Sequence, residues 1–249
     1  MSQKIRQDQI MQILKNESFV TVRYLVDVLQ YSTATINRDL NALQLQQLVK
    51  RSRGGVELYE HPNFLPPPAT REFYQKSEKQ RIAKAAAECI HDGDTIFLAG
   101  TTTVLHMIPY LTKKKDLTVI TNSARICLLL GETDFEVICL GGKVKLHPHA
   151  LMSDLTVENA MRFHVDKMFF STRCITEDGL VENNIAYLLY RVLFKNSKEI
   201  YLLADKTKVV DKIEYSLCDF STLSGVITNF RFPDEVRKNY PDTKFICVE

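Results

Sequence analysis

Between residues 4 and 46 the apolar side chains recur at the three- and four-residue spacing of helices, in three successive blocks. Ile10, Ile13 and Leu14 mark the inner face of a first helix over about residues 4–15, which Asn16, Glu17 and Ser18 break. Thr21 can cap a second helix with Val22, Leu25, Val26 and Leu29 facing inward. A short turn at Gln30 and Tyr31 leads to Ser32, a good cap for a third helix running to about residue 46. There Ile36, Leu40 and Leu43 form the buried stripe, so Ala34, Thr35, Arg38, Asn41 and Ala42 point the other way. The pattern then changes to strand-like runs at 48–51 and 56–59, around Ser52-Arg53-Gly54-Gly55, whose glycines permit positive φ. Two tandem helices followed by a hairpin predict a winged helix-turn-helix.

Pro62, Pro66, Pro67 and Pro68 interrupt all periodicity, and three consecutive prolines favour a stiff extended spacer, so residues 60–77 are expected to link two domains. From residue 78 onward helix and strand alternate. A helix carries Ile82, Ala83, Ala86 and Ile90, and strands are expected at 95–98, 117–121, 136–140, 167–171, 199–203, 225–228 and 244–248. Such alternation predicts a parallel α/β sheet. The expected organisation is therefore a DNA-binding domain over 1–59 and an α/β domain over 78–249.

Composition agrees with two soluble domains: 249 residues with 45% hydrophobic content can bury both cores. No apolar run approaches the roughly 18 residues of a membrane span, and the polar first residues contain no secretory signal core, so a cytoplasmic location without membrane contact is expected. The six cysteines, at 89, 127, 139, 174, 218 and 247, are scattered singly among apolar neighbours and read as buried free thiols. Net charge is +2, but residues 1–59 hold eight Lys or Arg against five Asp or Glu. That mild excess suits a partner of double-stranded DNA. On the third helix Ser32, Thr33, Thr35, Asn37, Arg38 and Asn41 are the candidate groove contacts, since small side chains around one arginine fit a major groove. Lys50, Arg51 and Arg53 on the hairpin would lie along phosphates, supplying affinity without sequence choice.

In open α/β sheets ligands sit beyond the carboxyl ends of the strands, which directs attention to three loops. Gly100, Thr101, Thr102 and Thr103 follow the first strand of the second domain and precede a helix, a setting that offers amides and hydroxyls to an anion such as phosphate. Helix capping by the same threonines is an equally good explanation. Gly141, Gly142 and Lys143 follow another strand, and Asp205 and Lys206 a third. The Walker lysine and the dinucleotide-binding glycine spacing are both absent, so no cofactor is expected. His147 and His149 read as a polar loop rather than a metal site, and His106 as a packed residue.

Two regions of this chain resemble the DeoR family of bacterial transcriptional regulators. The first is residues 32–43, with Lys50-Arg51 and Gly54-Gly55 after it. The second is the ordered series Ile96 to Thr103, Val119 to Ser123, Leu140-Gly141-Gly142, Asp178-Gly179-Leu180 and Leu203 to Lys206. The resemblance implies an α/β sensor domain similar to sugar-phosphate isomerases, with Gly100 to Thr103 holding an effector's phosphate and Gly141, Gly142, Asp178, Gly179 and Lys206 around its sugar. It also implies a repressor of sugar-use genes that responds to a small phosphorylated sugar, and the need to read a repeated site leads to the expectation of a homo-oligomer, dimer or tetramer. The chain departs from the family pattern in several places. Leu98-Ala99 stands where an aspartate is usual, Ser171-Thr172-Arg173-Cys174 replaces a Gly-Ala-Gly run, Glu182-Asn183-Asn184 and Tyr187-Leu188-Leu189 replace a Thr and downstream Glu-Ala, and a usual arginine pair is reduced to Asn37-Arg38. Two alternatives accompany this reading: an isomerase-like enzyme using Asp178, Glu182 or Asp205 as acid or base, and a regulator whose sensor domain is silent.

Overall fold

The computed structural model describes residues 3–17, 19–46, 48–52, 55–58, 75–144, 150–182, 184–210 and 216–249. Arg53, Gly54, the proline-rich stretch, His147, His149 and Asn183 lie outside the described residues. Contacts divide the chain into two units, Met1–Pro67 and Pro68–Glu249.

In the first unit α1 (Gln3–Glu17) leads through a two-residue strand β1 (Phe19–Val20) to α2 (Val22–Leu29) and α3 (Thr33–Leu45), and then to β2 (Val49–Ser52) and β3 (Gly55–Leu58). The expected caps are present: Thr21 accepts from the Tyr24 amide and Ser32 from the Thr35 amide. Gln30 closes α2 in the left-handed region, at φ 57°, its amide donating to Val26 O at 2.9 Å. Three helical stripes meet in one cluster that includes Ile10, Leu14, Leu25, Ile36, Leu40 and Leu43 with Val49 and Val56 of the hairpin. Asp39 is an exception that periodicity alone does not anticipate: it is fully buried on the inner side of α3, where the Arg6 guanidinium of α1 pairs with both its oxygens. The sheet order is β1-β3-β2, all antiparallel. Gly55 is not in a positive-φ conformation; it is required because a Cβ there would lie 2.4 Å from both the Phe19 ring and Val20 O. The close approach of β1 decides the residue.

The second unit begins with α4 (Lys76–Glu88), then β4 (Thr95–Leu98), the short helices α5 (Thr102–Leu105) and α6 (Ile108–Leu111), β5 (Thr118–Thr121), α7 (Ala124–Leu130) and β6 (Glu136–Cys139). It continues with α8 (Asp154–Ala160), β7 (Val165–Phe170), a small hairpin β8 (Cys174–Thr176) and β9 (Gly179–Val181), α9 (Asn184–Lys195), β10 (Ser197–Ala204), β11 (Gly225–Thr228), α10 (Asp234–Asn239) and β12 (Lys244–Cys247). All seven expected strands form one parallel sheet, ordered β12-β11-β10-β7-β4-β5-β6. Both faces are covered, so strand residues alternate between two cores rather than between core and water. Phe97, Met168, Leu202 and Val226 face Leu189 and Leu193 of α9, while Ile96, Leu98, Phe169 and Leu203 face Ile82, Ala86, Leu111 and Ile126.

One expectation changes. The cysteines are not buried: Cys139 and Cys247 are exposed, on the two edge strands β6 and β12, and the other four are half-buried. An edge position removes the neighbouring strand that would have covered them. The expected helix after Gly100 is present as a single turn of four residues. No described helix is long and apolar enough to cross a membrane.

Candidate nucleic-acid interface and effector crevice

On α3 the outward face carries Ala34, Arg38, Asn41 and the 87%-exposed Leu45, with Asn37 beside them. The hydroxyls of Ser32 and Thr35 lie 2.8 Å apart at the helix start, and Ser32 Oγ also accepts the Thr35 amide, so both serve the cap. Thr33 is exposed, and its carbonyl accepts from Asn37 Nδ2 at 2.9 Å. Arg38 extends from this face with no ion pair to any described residue. The two described basic residues of the hairpin part company. Lys50 points outward and pairs across the ladder with Glu57 at 3.5 Å, both side chains largely exposed. Arg51 turns to α3 instead, donating to Asn41 Oδ1 at 2.6 Å and Asn37 Oδ1 at 2.5 Å.

In the second unit β4 lies between β5 and β7: the chain moves outward through β5 and β6, then returns to β7 and moves the other way through β10 to β12. That reversal places a crevice above the carboxyl ends of β4 and β7. Gly100 to Thr103 follow β4, Ser171 and Thr172 follow β7, and Asp205 and Lys206 follow β10 one strand further on. With strands roughly 4.8 Å apart, the β4 and β10 loops are roughly 10 Å from each other, while Gly141 to Lys143 after β6 lie about as far on the opposite side. Asp178 and Gly179 are on the β8–β9 hairpin, outside the main sheet.

Much of the loop machinery is committed to the fold itself. Buried Asn122, at the end of β5, accepts the Gly100 amide at 2.8 Å and donates to Leu151 O at 3.2 Å, tying three segments together. A Cβ on Gly100 would come within 3.0 Å of Ala150. The Thr101 amide donates to Ala99 O, and Thr101 Oγ1 caps Val104. Gly142, at φ 112°, would place a Cβ 2.1 Å from Thr156 Oγ1, so its glycine is explained by the docking of α8. Gly179 is likewise fixed, at φ 154°: a Cβ there would lie 2.5 Å from Ser216 Oγ and 2.6 Å from Cys218 O. Lys143 and Asp178 are exposed, as is Lys206, whose amide donates to Asn229 Oδ1 at 2.7 Å.

Asp205 stands apart. Its side chain is almost fully buried at the end of β10, one oxygen accepts from Thr207, and Oδ2 has no hydrogen-bond partner among the described residues. An orphaned buried carboxylate oxygen costs of order 1–3 kcal/mol or more, and a ligand hydroxyl would satisfy it. Burial, above all, pushes the Cys127 and Cys218 thiols up to about 12, which disfavours their thiolate forms. Among the described residues no group of His, Cys, Asp or Glu could hold a metal ion.

Both units match family models. Residues 6–61 match the DeoR-like helix-turn-helix domain and residues 74–229 the DeoR C-terminal sensor domain. The chain belongs to the DeoR family. It is 30% identical to the HTH-type transcriptional repressor GlcR of Bacillus subtilis, over 94% of this chain and 91% of that protein. The glycerol-3-phosphate regulon repressor of Escherichia coli is 28% identical over 97% of each chain, and the lactose phosphotransferase system repressor of Lactococcus lactis 29% over 84% of each. The chain is thus a transcription regulator of that family. A solved ribose 5-phosphate isomerase from Methanocaldococcus jannaschii is 19% identical and covers 56% of each chain, with a TM-score of 0.41, a likeness that carries no functional argument.

Proposed function

We propose that this DeoR-family regulator represses carbohydrate genes by reading a repeated duplex site as a homo-oligomer, and that a small phosphorylated sugar bound in the sensor crevice changes its hold on that site. The observation that carries the DNA reading is α3: a face of Ala34, Asn41 and unpaired Arg38 outside a helix whose other side is sealed in the core. Arg38 has the reach and fork to bond a guanine edge. For the effector, the observation is Asp205 Oδ2, two strands from a loop whose Thr102 and Thr103 amides have no acceptor among the described residues. Phosphate at those amides and a sugar hydroxyl at Asp205 would satisfy both ends of one ligand. The related repressors named for glycerol-3-phosphate and for a lactose phosphotransferase system support an effector of this class.

Ligand can alter DNA affinity only by binding the DNA-competent and DNA-incompetent arrangements unequally. The test is titration of the full chain with a panel of sugar phosphates and with inorganic phosphate, reading thermal stability and operator affinity together. One or more phosphosugars should raise the melting temperature and change operator affinity, while Asp205→Asn should reduce the response to the sugar phosphate more than that to inorganic phosphate. No stabilisation by any phosphosugar at concentrations well above millimolar would identify a silent sensor.

A further inference from the structure

Strand geometry separates two neighbouring basic residues that a basic hairpin would otherwise present together. Side chains alternate along β2, so Val49, which is in the core, and Arg51 share the face toward α3, while Lys50 faces away and meets Glu57. On α3 Asn37 and Asn41 are one turn apart on the same side. The two terminal nitrogens of Arg51 span them at 2.5 and 2.6 Å, and Asn37 is itself held by Thr33 O at 2.9 Å. This arrangement depends on residue 37 being neutral. A cation at residue 37 would repel Arg51, whereas the asparagine accepts from it.

We propose that Arg51 is a second base-reading residue, delivered onto the groove face of α3 by the wing strand and positioned by Asn37. A guanidinium has five N–H donors, and two are occupied here, which leaves three to present to a guanine edge. The reading surface then consists of Arg38 and Arg51 with Asn41 between them, and Asn37 acts through Arg51 rather than on a base. A strut that only fixes the hairpin to the helix would use the same two hydrogen bonds, so the experiment must separate sequence preference from general affinity. This inference rests on α3 being the reading helix.

The test selects bound duplexes from a random pool with the full chain and with its Arg51→Ala, Arg51→Lys and Asn37→Ala variants. Each selected site is then measured against random duplex over a range of salt. Arg51→Ala should erase preference at one or two base pairs while sparing those read by Arg38. Operator affinity should fall tenfold or more, with random-duplex affinity and salt slope nearly unchanged. Arg51→Lys keeps the charge and most of the apolar stem, so it guards against a folding defect and should lose the same base preference. Asn37→Ala should blur that preference without abolishing it. An unchanged consensus in both Arg51 variants overturns the proposal, as does an equal loss on operator and random duplex with a shallower salt slope. If the unmodified chain selects no consensus, the reading role of α3 itself fails.

Discussion

The two units place their working residues on opposite kinds of support. In the N-terminal unit the candidate DNA contacts stand on the outer side of elements whose inner sides share one cluster of ten buried apolar residues. In the C-terminal unit the candidate ligand contacts extend from the ends of strands sandwiched between two clusters of twenty or more each. A helix face is visible in sequence because its inner side is periodic. Loops at strand ends have no period, and there glycines and threonines also serve the fold, Gly142 by leaving room for the Thr156 side chain and Thr101 by capping the Val104 amide. The comparison also implies unequal fragility, since a small core loses a larger fraction of its stability with each methyl group removed.

The sharpest way to break this comparison is a matched pair of core truncations. Leu40→Ala and Leu202→Ala each remove a fully buried leucine and should cost about 2–5 kcal/mol. Calorimetry should show Leu40→Ala unfolding the first unit and abolishing DNA binding, while Leu202→Ala leaves a folded sensor with a lowered transition. Equal consequences would contradict the fragility argument. Within the sensor, Lys167 is buried between Asp94 at 2.6 Å and the half-exposed Glu199 at 3.8 Å, so Asp94→Ala leaves an ammonium poorly compensated. A loss of about 3 kcal/mol or more is expected from denaturant titration, against little change for Asp94→Glu if the pair is retained.

Smaller effects sharpen the picture of the hairpin and the sheet edge. Lys50→Ala removes an exposed pair worth under about 1 kcal/mol, so stability should barely move, but the salt slope of DNA binding should fall by about one unit if Lys50 meets a phosphate. An unchanged slope removes it from the interface. At the amino ends of the sensor strands, the Lys198 ammonium, and after it the Thr95 amide, hold the Asp166 carboxyl below its ordinary value of 3.8. A lowered folded value means stability that is present above pH 3.8 and fades as pH falls below it. The melting temperatures of Asp166→Asn and the parent should therefore differ slightly near neutrality and converge in acid; a difference constant with pH would exclude this linkage.

Much of the architecture was legible because it is repetitive. Three helical stripes, the caps at Thr21 and Ser32 and seven β-rich runs suffice for a winged helix-turn-helix and a parallel sheet. Strand β1 escaped because two residues cannot show a period, and only Gly55, which would collide with it, marks its presence. The β8–β9 hairpin is equally short, at three residues per strand. The burial of Asp39 depends on Arg6, a partner 33 positions away that no local pattern on α3 reveals. The same distance problem hid Asn122, whose partners lie at Gly100 and Leu151, and the isolation of Asp205 Oδ2. Arg51 could have been separated from Lys50 by strand alternation alone, since β2 puts Val49 in the core.

Selection of bound duplexes from a random pool, by the full chain at physiological ionic strength and with polyanion competitor present, tests the central claim most directly. The account predicts a repeated motif bound far more tightly than competitor, whose preference at a guanine is lost and whose affinity falls by about 1–3 kcal/mol in Arg38→Ala. Recovery of no motif, or of the same motif with undiminished affinity from Arg38→Ala, would contradict it.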